Sequence, residues 1–132
     1  MTRLAAGLVG VLALVGAACQ QPFIPAGTER ITPPPEYRQW WEESRACVHR
    51  QEVRRFTDVE WYITPEMPVT KDGVQGWALT VGNKVYVWEP FRDSPWIIQH
   101  ELVHAINGVH GHPHDPFVTC RLMAWQHMGR VP

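Results

Sequence analysis

The stretch HELVHAINGVHGHPHDPF, residues 100–117, holds five of the chain's seven histidines and a single glutamate. Just upstream, Ser94 suits a helix N-cap and Pro95 the first helical position. Downstream, Asn107-Gly108 suits a left-handed helix end. A helix is therefore expected over residues 95–107. On it, His100 and His104 stand one turn apart and project from the same face. Both imidazoles can then reach one cation at a bond length of about 2.0–2.1 Å. Glu101 lies about 100° further round the axis, where its carboxylate can take a proton from water beside that cation. Leu102, Val103, Ala105 and Ile106 are apolar, as expected where the back of the helix meets a core. The competing reading is a pair of core histidines bonded to the backbone, with Glu101 on a solvated face. That reading accounts for one histidine better than for two at metal-ligand spacing.

A catalytic site of this kind needs a third protein ligand and leaves one position open. No glutamate follows Glu101, which removes a downstream carboxylate of that type. The remaining candidates are His110, His112, His114 and Asp115.

The flanking sequence points to a small α+β domain. Residues 36–50 carry good helix formers, with apolar positions at Tyr37, Trp40, Trp41, Ala46, Cys47 and Val48. FTDVEWYIT, residues 56–64, is β-branched and aromatic and reads as a strand. A turn is expected at Asp72-Gly73. GWALTVGNKVYVWEP then reads as a hairpin around Gly82-Asn83. Trp77, Leu79 and Val81 share one face of its first strand, and Val85 and Val87 share one face of the second. A last helix is expected from Asp115 as N-cap through FVTCRLMAWQHM. The sheet should be small and mostly antiparallel. Trp40, Trp41, Trp61, Trp125, Tyr37 and Trp96 are expected in the core, and His49 and His127 on the surface as isolated residues.

With 132 residues, 12 basic and 13 acidic side chains, the chain is one domain with no basic excess to suggest a nucleic-acid partner. Arg3 followed by the apolar residues 4–18 reads as an export signal, too short to span a membrane comfortably. LVGAAC resembles a bacterial lipobox, which implies lipid on Cys19 and a tether to a membrane surface. Simple secretion, with cleavage near Ala18, is the alternative. Residues 19–35 are proline-rich and aperiodic, and read as a tether between residues 1–18 and a domain over residues 36–132. If Cys19 carries lipid, Cys47 and Cys120 remain as an even pair in an oxidising compartment and are expected to be joined, with two buried free thiols as the competing reading.

His100, Glu101 and His104 together resemble the H-E-x-x-H signature of zincin-type zinc metallopeptidases. Two branches fit the continuation. HELVHAINGVH is similar to the metzincin pattern, with Asn107 at its glycine position and His110 as third ligand. That pattern wants a methionine turn, for which Met123 and Met128 are the only later methionines. GHPHDPFVTC is similar to small bacterial zincins and SprT-like proteins, and makes His112 the ligand. His112 is preferred and His110 is the alternative; His114 would face the substrate or stand behind the ligands.

The resemblance implies a zinc cofactor, a peptide or protein substrate and hydrolysis by Glu101-assisted attack of zinc-bound water. The export signal and lipobox-like residues place the protein in the cell envelope, where a monomer is expected. Transition-state donors are sought among His110, His114 and Tyr86. The strand over residues 84–88 is the expected docking edge for substrate backbone. Two other functions stay open: a zinc-binding lipoprotein without turnover, and an amidase acting on cell-wall fragments.

Overall fold

The structure, a computed structural model, describes residues 21–48 and 52–127. The expected export signal, Cys19, His49 and Met128 lie outside the described residues. Two helices pack on one face of a four-stranded mixed sheet, an α+β arrangement. Helix α1, Pro35–Cys47, starts with proline inside its first turn and buries Tyr37, Trp41 and Ser44, an i, i+4, i+7 stripe. It ends three residues earlier than its composition suggests. Helix α2, Pro95–Asn107, packs against α1 and the sheet, and Tyr37 of α1 itself meets Trp61 of the sheet with ring centroids 4.6 Å apart. Its buried face supplies Ile98, Leu102, Val103, Ala105 and Ile106 to a core shared with Tyr37, Trp41, Trp61, Val85 and Val87.

The strands are β1 (Glu29–Ile31), β2 (Glu60–Thr64), β3 (Ala78–Val81) and β4 (Lys84–Trp88), in the order β1-β2-β4-β3. The β1–β2 and β3–β4 pairs are antiparallel, and β2–β4 is parallel. Strand β1 falls in the segment expected to be a tether. Glu29 and Arg30 are exposed and only Ile31 is partly buried against the core, so three residues show no alternation that would mark a strand in the sequence. Phe23 also pairs its backbone with Val69, at 2.9 and 3.0 Å, which fastens the chain to the domain well before residue 36. The strand expected over residues 56–64 begins late. Phe56–Asp58 form a 3₁₀ turn closed by the Asp58 carboxylate, which accepts from the Arg55 backbone N–H at 3.0 Å.

The β3–β4 hairpin turns on Gly82, at φ +62°, and Asn83, with Val81 opposite Lys84. A left-handed first position and a right-handed second one are what a type II′ turn requires. The pairing also fixes which backbone groups face out. Val81 and Lys84 flank the two-residue turn and exchange the inner hydrogen bonds, and Trp88 N–H donates to Trp77 C=O at 2.9 Å. Alternation then turns the N–H and C=O of Ala78 and Thr80 away from β4, towards the open edge. The side chains of Ala78 and Thr80 lie on the same face as Val87 and Val85, towards α2.

The expected C-terminal helix does not form. Asp115, preceding Pro116, is extended at φ −102° and ψ 122°, the conformation favoured before proline. Asp115 interrupts a single π turn, His114–Val118; Arg121 is left-handed at φ 58°, and Ala124–Gln126 make only a 3₁₀ turn. Asp115 does not cap a helix there; its Oδ1 accepts from Thr119 Oγ1 at 2.7 Å. Trp125, without a helix to bury it, is 55% exposed. His127 is not isolated, since its ring stacks on Trp96 with centroids 4.8 Å apart. A disulfide joins Cys47, at the end of α1, to Cys120 in this segment. Among the described residues no helix is long and apolar enough to cross a membrane.

Candidate metal centre

Helix α2 is built to hold its two histidines still. Ser94 takes the N-cap position, although its side chain makes no capping hydrogen bond, and Pro95 opens the helix. At the other end Gly108, not Asn107, adopts the left-handed conformation at φ 65°. A glycine is favoured there twice over, because a Cβ would also meet Val53 Cγ2 at 3.1 Å. The last carbonyls are satisfied from outside: Ile106 C=O accepts from Val53 N–H at 2.8 Å and Ala105 C=O from Arg54 Nη1 at 3.1 Å.

Each helix-borne imidazole is then oriented through its Nδ1. His100 Nδ1 donates to Leu122 C=O at 2.7 Å, and His104 Nδ1 donates to Val109 C=O at 2.6 Å. A carbonyl only accepts, so the ring proton sits on Nδ1 and the Nε2 lone pair is left bare. The loop after the helix brings in His112. Its Nε2 lies 3.0 Å from His100 Nε2 and 3.3 Å from His104 Nε2, which are themselves 3.3 Å apart. Two of these nitrogens have their proton committed elsewhere, so bare lone pairs converge on a shared point. Those lone pairs can be satisfied in two ways, by a proton on His112 Nε2, 3.0 Å from His100 Nε2, or by a cation lying among the three. A tetrahedral ion with nitrogen ligands at about 2.0–2.1 Å sets those nitrogens about 3.3 Å apart, close to the separations found. His100, His104 and His112 could therefore hold a metal ion.

Phe117, fully buried, forms the floor beneath all three rings, with centroid separations of 5.0, 4.5 and 5.0 Å to His100, His104 and His112. Burial sets the electrostatics. It pushes the His104 pKa down to about 3, with His100 adding to the shift. Burial likewise lowers His100, against the opposing bond to Leu122, and lowers His112. All three are thus kept neutral, the state a metal needs. Glu101 is raised to about 7 by burial, opposed by hydrogen bonds from Thr80.

The triad opens into a cleft of about 720 Å³, bounded on one side by β3. Beyond His100 it is walled by Trp77, Trp96, Ile97 and Met123. His110 lines the cleft but stands outside the triad. His114 and Asp115 take no part in the triad and do not line the cleft. Tyr86 is on the other face of the sheet, stacked on Tyr62 at 5.0 Å, and cannot reach the site. The docking edge expected at residues 84–88 is also displaced. Strand β4 is interior, between β2 and β3, and the free edge beside the cleft belongs to β3. Hairpin symmetry hid this in the sequence, because either strand of a hairpin can be the outer one.

Sequence reasoning missed three partners of the site: the carbonyls of Val109 and Leu122, and the hydroxyl of Thr80. Carbonyls carry no residue-type signal. Thr80 had one faint mark, a lone hydroxyl on the strand face that otherwise packs against α2. No protein-family profile, no curated protein and no solved structure matches the chain.

Proposed function

We propose that the chain is a zinc-dependent hydrolase of peptide bonds of the zincin type, with His100, His104 and His112 as ligands and Glu101 as general base. The observation that carries this reading is the convergence of three Nε2 atoms within 3.3 Å of one another beside a buried carboxylate, in an open cleft. An all-imidazole set with outer carbonyl partners suits zinc. Bound there, zinc would act as a Lewis acid and acidify water in its shell.

The remaining steps belong to the protein. An extended polypeptide adds to the open edge of β3, where the backbone groups of Ala78 and Thr80 offer hydrogen bonds. The apolar wall of Trp77, Trp96 and Met123 takes a side chain beside the scissile bond and excludes water from it. Glu101, poised near neutrality, accepts the proton of the attacking water and returns it to the departing amine. His110, at the cleft rim, is placed to donate to the developing oxyanion. Lipobox-like residues before Cys19 and a disulfide between Cys47 and Cys120 support an envelope location with a lipid tether.

Substituting Glu101→Gln is expected to abolish peptide hydrolysis while one zinc per chain remains bound. A protein that merely carries zinc would show no hydrolysis in the wild type and no effect of the change. Digestion of a peptide library alongside purified wall fragments separates peptidase from amidase: cleavage confined to the fragments overturns the peptide-bond reading.

A further inference from the structure

Thr80 occupies a double position. Its side chain points inward to α2, where Oγ1 lies 2.6 Å from Glu101 Oε2 and 3.2 Å from Glu101 C=O. A hydroxyl has one proton to give, and the shorter, better contact takes it. Among the described residues the donors recorded at the Glu101 carboxylate both belong to Thr80, its hydroxyl first and its backbone N–H second. The backbone of the same residue points outward, to the edge of β3 that borders the cleft. A single residue of the sheet therefore touches both the base and the line along which an extended chain would pair.

We propose that Thr80 is a positioning residue for Glu101: its hydroxyl engages Oε2 and leaves Oε1 to meet the attacking water, while its backbone groups register the substrate strand against that same carboxylate. The inference rests on the hydrolase reading and deepens it. A carboxylate on a flexible side chain has two rotatable bonds beyond its Cβ and an almost freely turning terminal group. One short hydrogen bond from a rigid strand removes most of that freedom. The Thr80 side chain shares a face of the sheet with Val85, and its β-branching leaves few rotamers for the hydroxyl.

The test compares Thr80→Val, which keeps the shape and deletes the donor, Thr80→Ser, which keeps the donor, and Thr80→Ala as a second deletion should valine perturb folding. Misplacing a catalytic group by about 1 Å costs on the order of 100-fold in rate. Thr80→Val and Thr80→Ala are accordingly expected to lose about 10- to 100-fold in kcat with KM little changed, and Thr80→Ser to recover most of it. Zinc content stays at one per chain throughout.

A second readout needs neither metal nor turnover. The side-chain carboxyl ¹³C resonance of Glu101 in the metal-free protein should shift in Thr80→Val and return in Thr80→Ser. Wild-type kcat in both deletion variants, or a loss that serine does not restore, overturns the proposal. So does an unmoved Glu101 resonance. A wild type that cleaves no peptide sinks the hydrolase reading instead, and the resonance alone then decides whether Thr80 holds the carboxylate.

Discussion

Helix α2 and the segment over residues 109–127 meet at the same three nitrogens, yet they are held in place by different physics. The helix is fixed by local rules: proline at its start, a left-handed glycine at its end, and a buried apolar stripe. Two candidate ligands at i and i+4 follow from its pitch alone. The segment has almost no regular structure. It is held by the Cys47–Cys120 disulfide, by Phe117 and Leu122 in the core, and by short turns. It contributes His112 directly and fixes both helix histidines through the carbonyls of Val109 and Leu122. Half of the site is thus cheap to specify, and the other half depends on contacts far apart in the chain.

The sharpest way to break this comparison is to remove one ligand from each side. His104→Ala and His112→Ala should each lose stoichiometric zinc, by more than the ~10–100-fold that deleting an outer partner costs. His110→Ala should keep it. Competition with a chromophoric chelator measures all three. Zinc retained by His112→Ala and lost by His110→Ala would move the third ligand to the metzincin position.

Next in size is the cross-link. Cys47 and Cys120 are 73 residues apart, and closing a loop of that length stabilises by roughly 4 kcal/mol in the chain-entropy model. Replacing both by alanine should lower urea stability by that order and weaken zinc binding as well. The α2 signal in circular dichroism should survive. Equal loss of helix and metal would mean that the two regions do not differ in the way described.

The smallest expected effect is on pH dependence of the metal-free protein. His100, His104 and His112 have pKa values depressed below the ordinary histidine value near 6.5. Their neutral, folded forms contribute stability that is present above about pH 6.5 and is lost as pH falls towards the folded values, about 3 for His104. Glu101 has the opposite sign. Its pKa is raised to about 7, so its contribution is present below its unfolded value and lost as pH rises through 7. Three groups against one make the protein less stable in acid. Urea midpoints between pH 7 and pH 4 should flatten more with His104→Gln, deep in the helix, than with His112→Gln at the exposed rim. Equal flattening would contradict the burial difference.

The same contrast explains what the sequence disclosed. The helix bounds, the shared face of His100 and His104 and the neighbouring Glu101 could be read directly, because a periodic element repeats its own rule every turn. The hairpin was legible from Gly82-Asn83 for a similar reason. Strand β1 was not, since three polar-to-mixed residues on a sheet edge carry no period. The last helix was expected from Asp115-Pro116 as a helix start, and extended backbone before Pro116 overrode that. The order of strands, and with it the free edge, depends on the parallel pairing of β2 with β4, a contact that no local pattern encodes.

Strand β1 bears on how the molecule behaves in a crowd. It occupies the far border of the sheet with Glu29 and Arg30 exposed, and charges on an outer strand discourage pairing with a second chain. The opposite border has no such guard. Two copies meeting strand to strand would therefore join through β3, and in doing so each would cover the mouth of the other. Were such a pair to form, it would use the border whose strand, Ala78–Val81, carries no charged side chain.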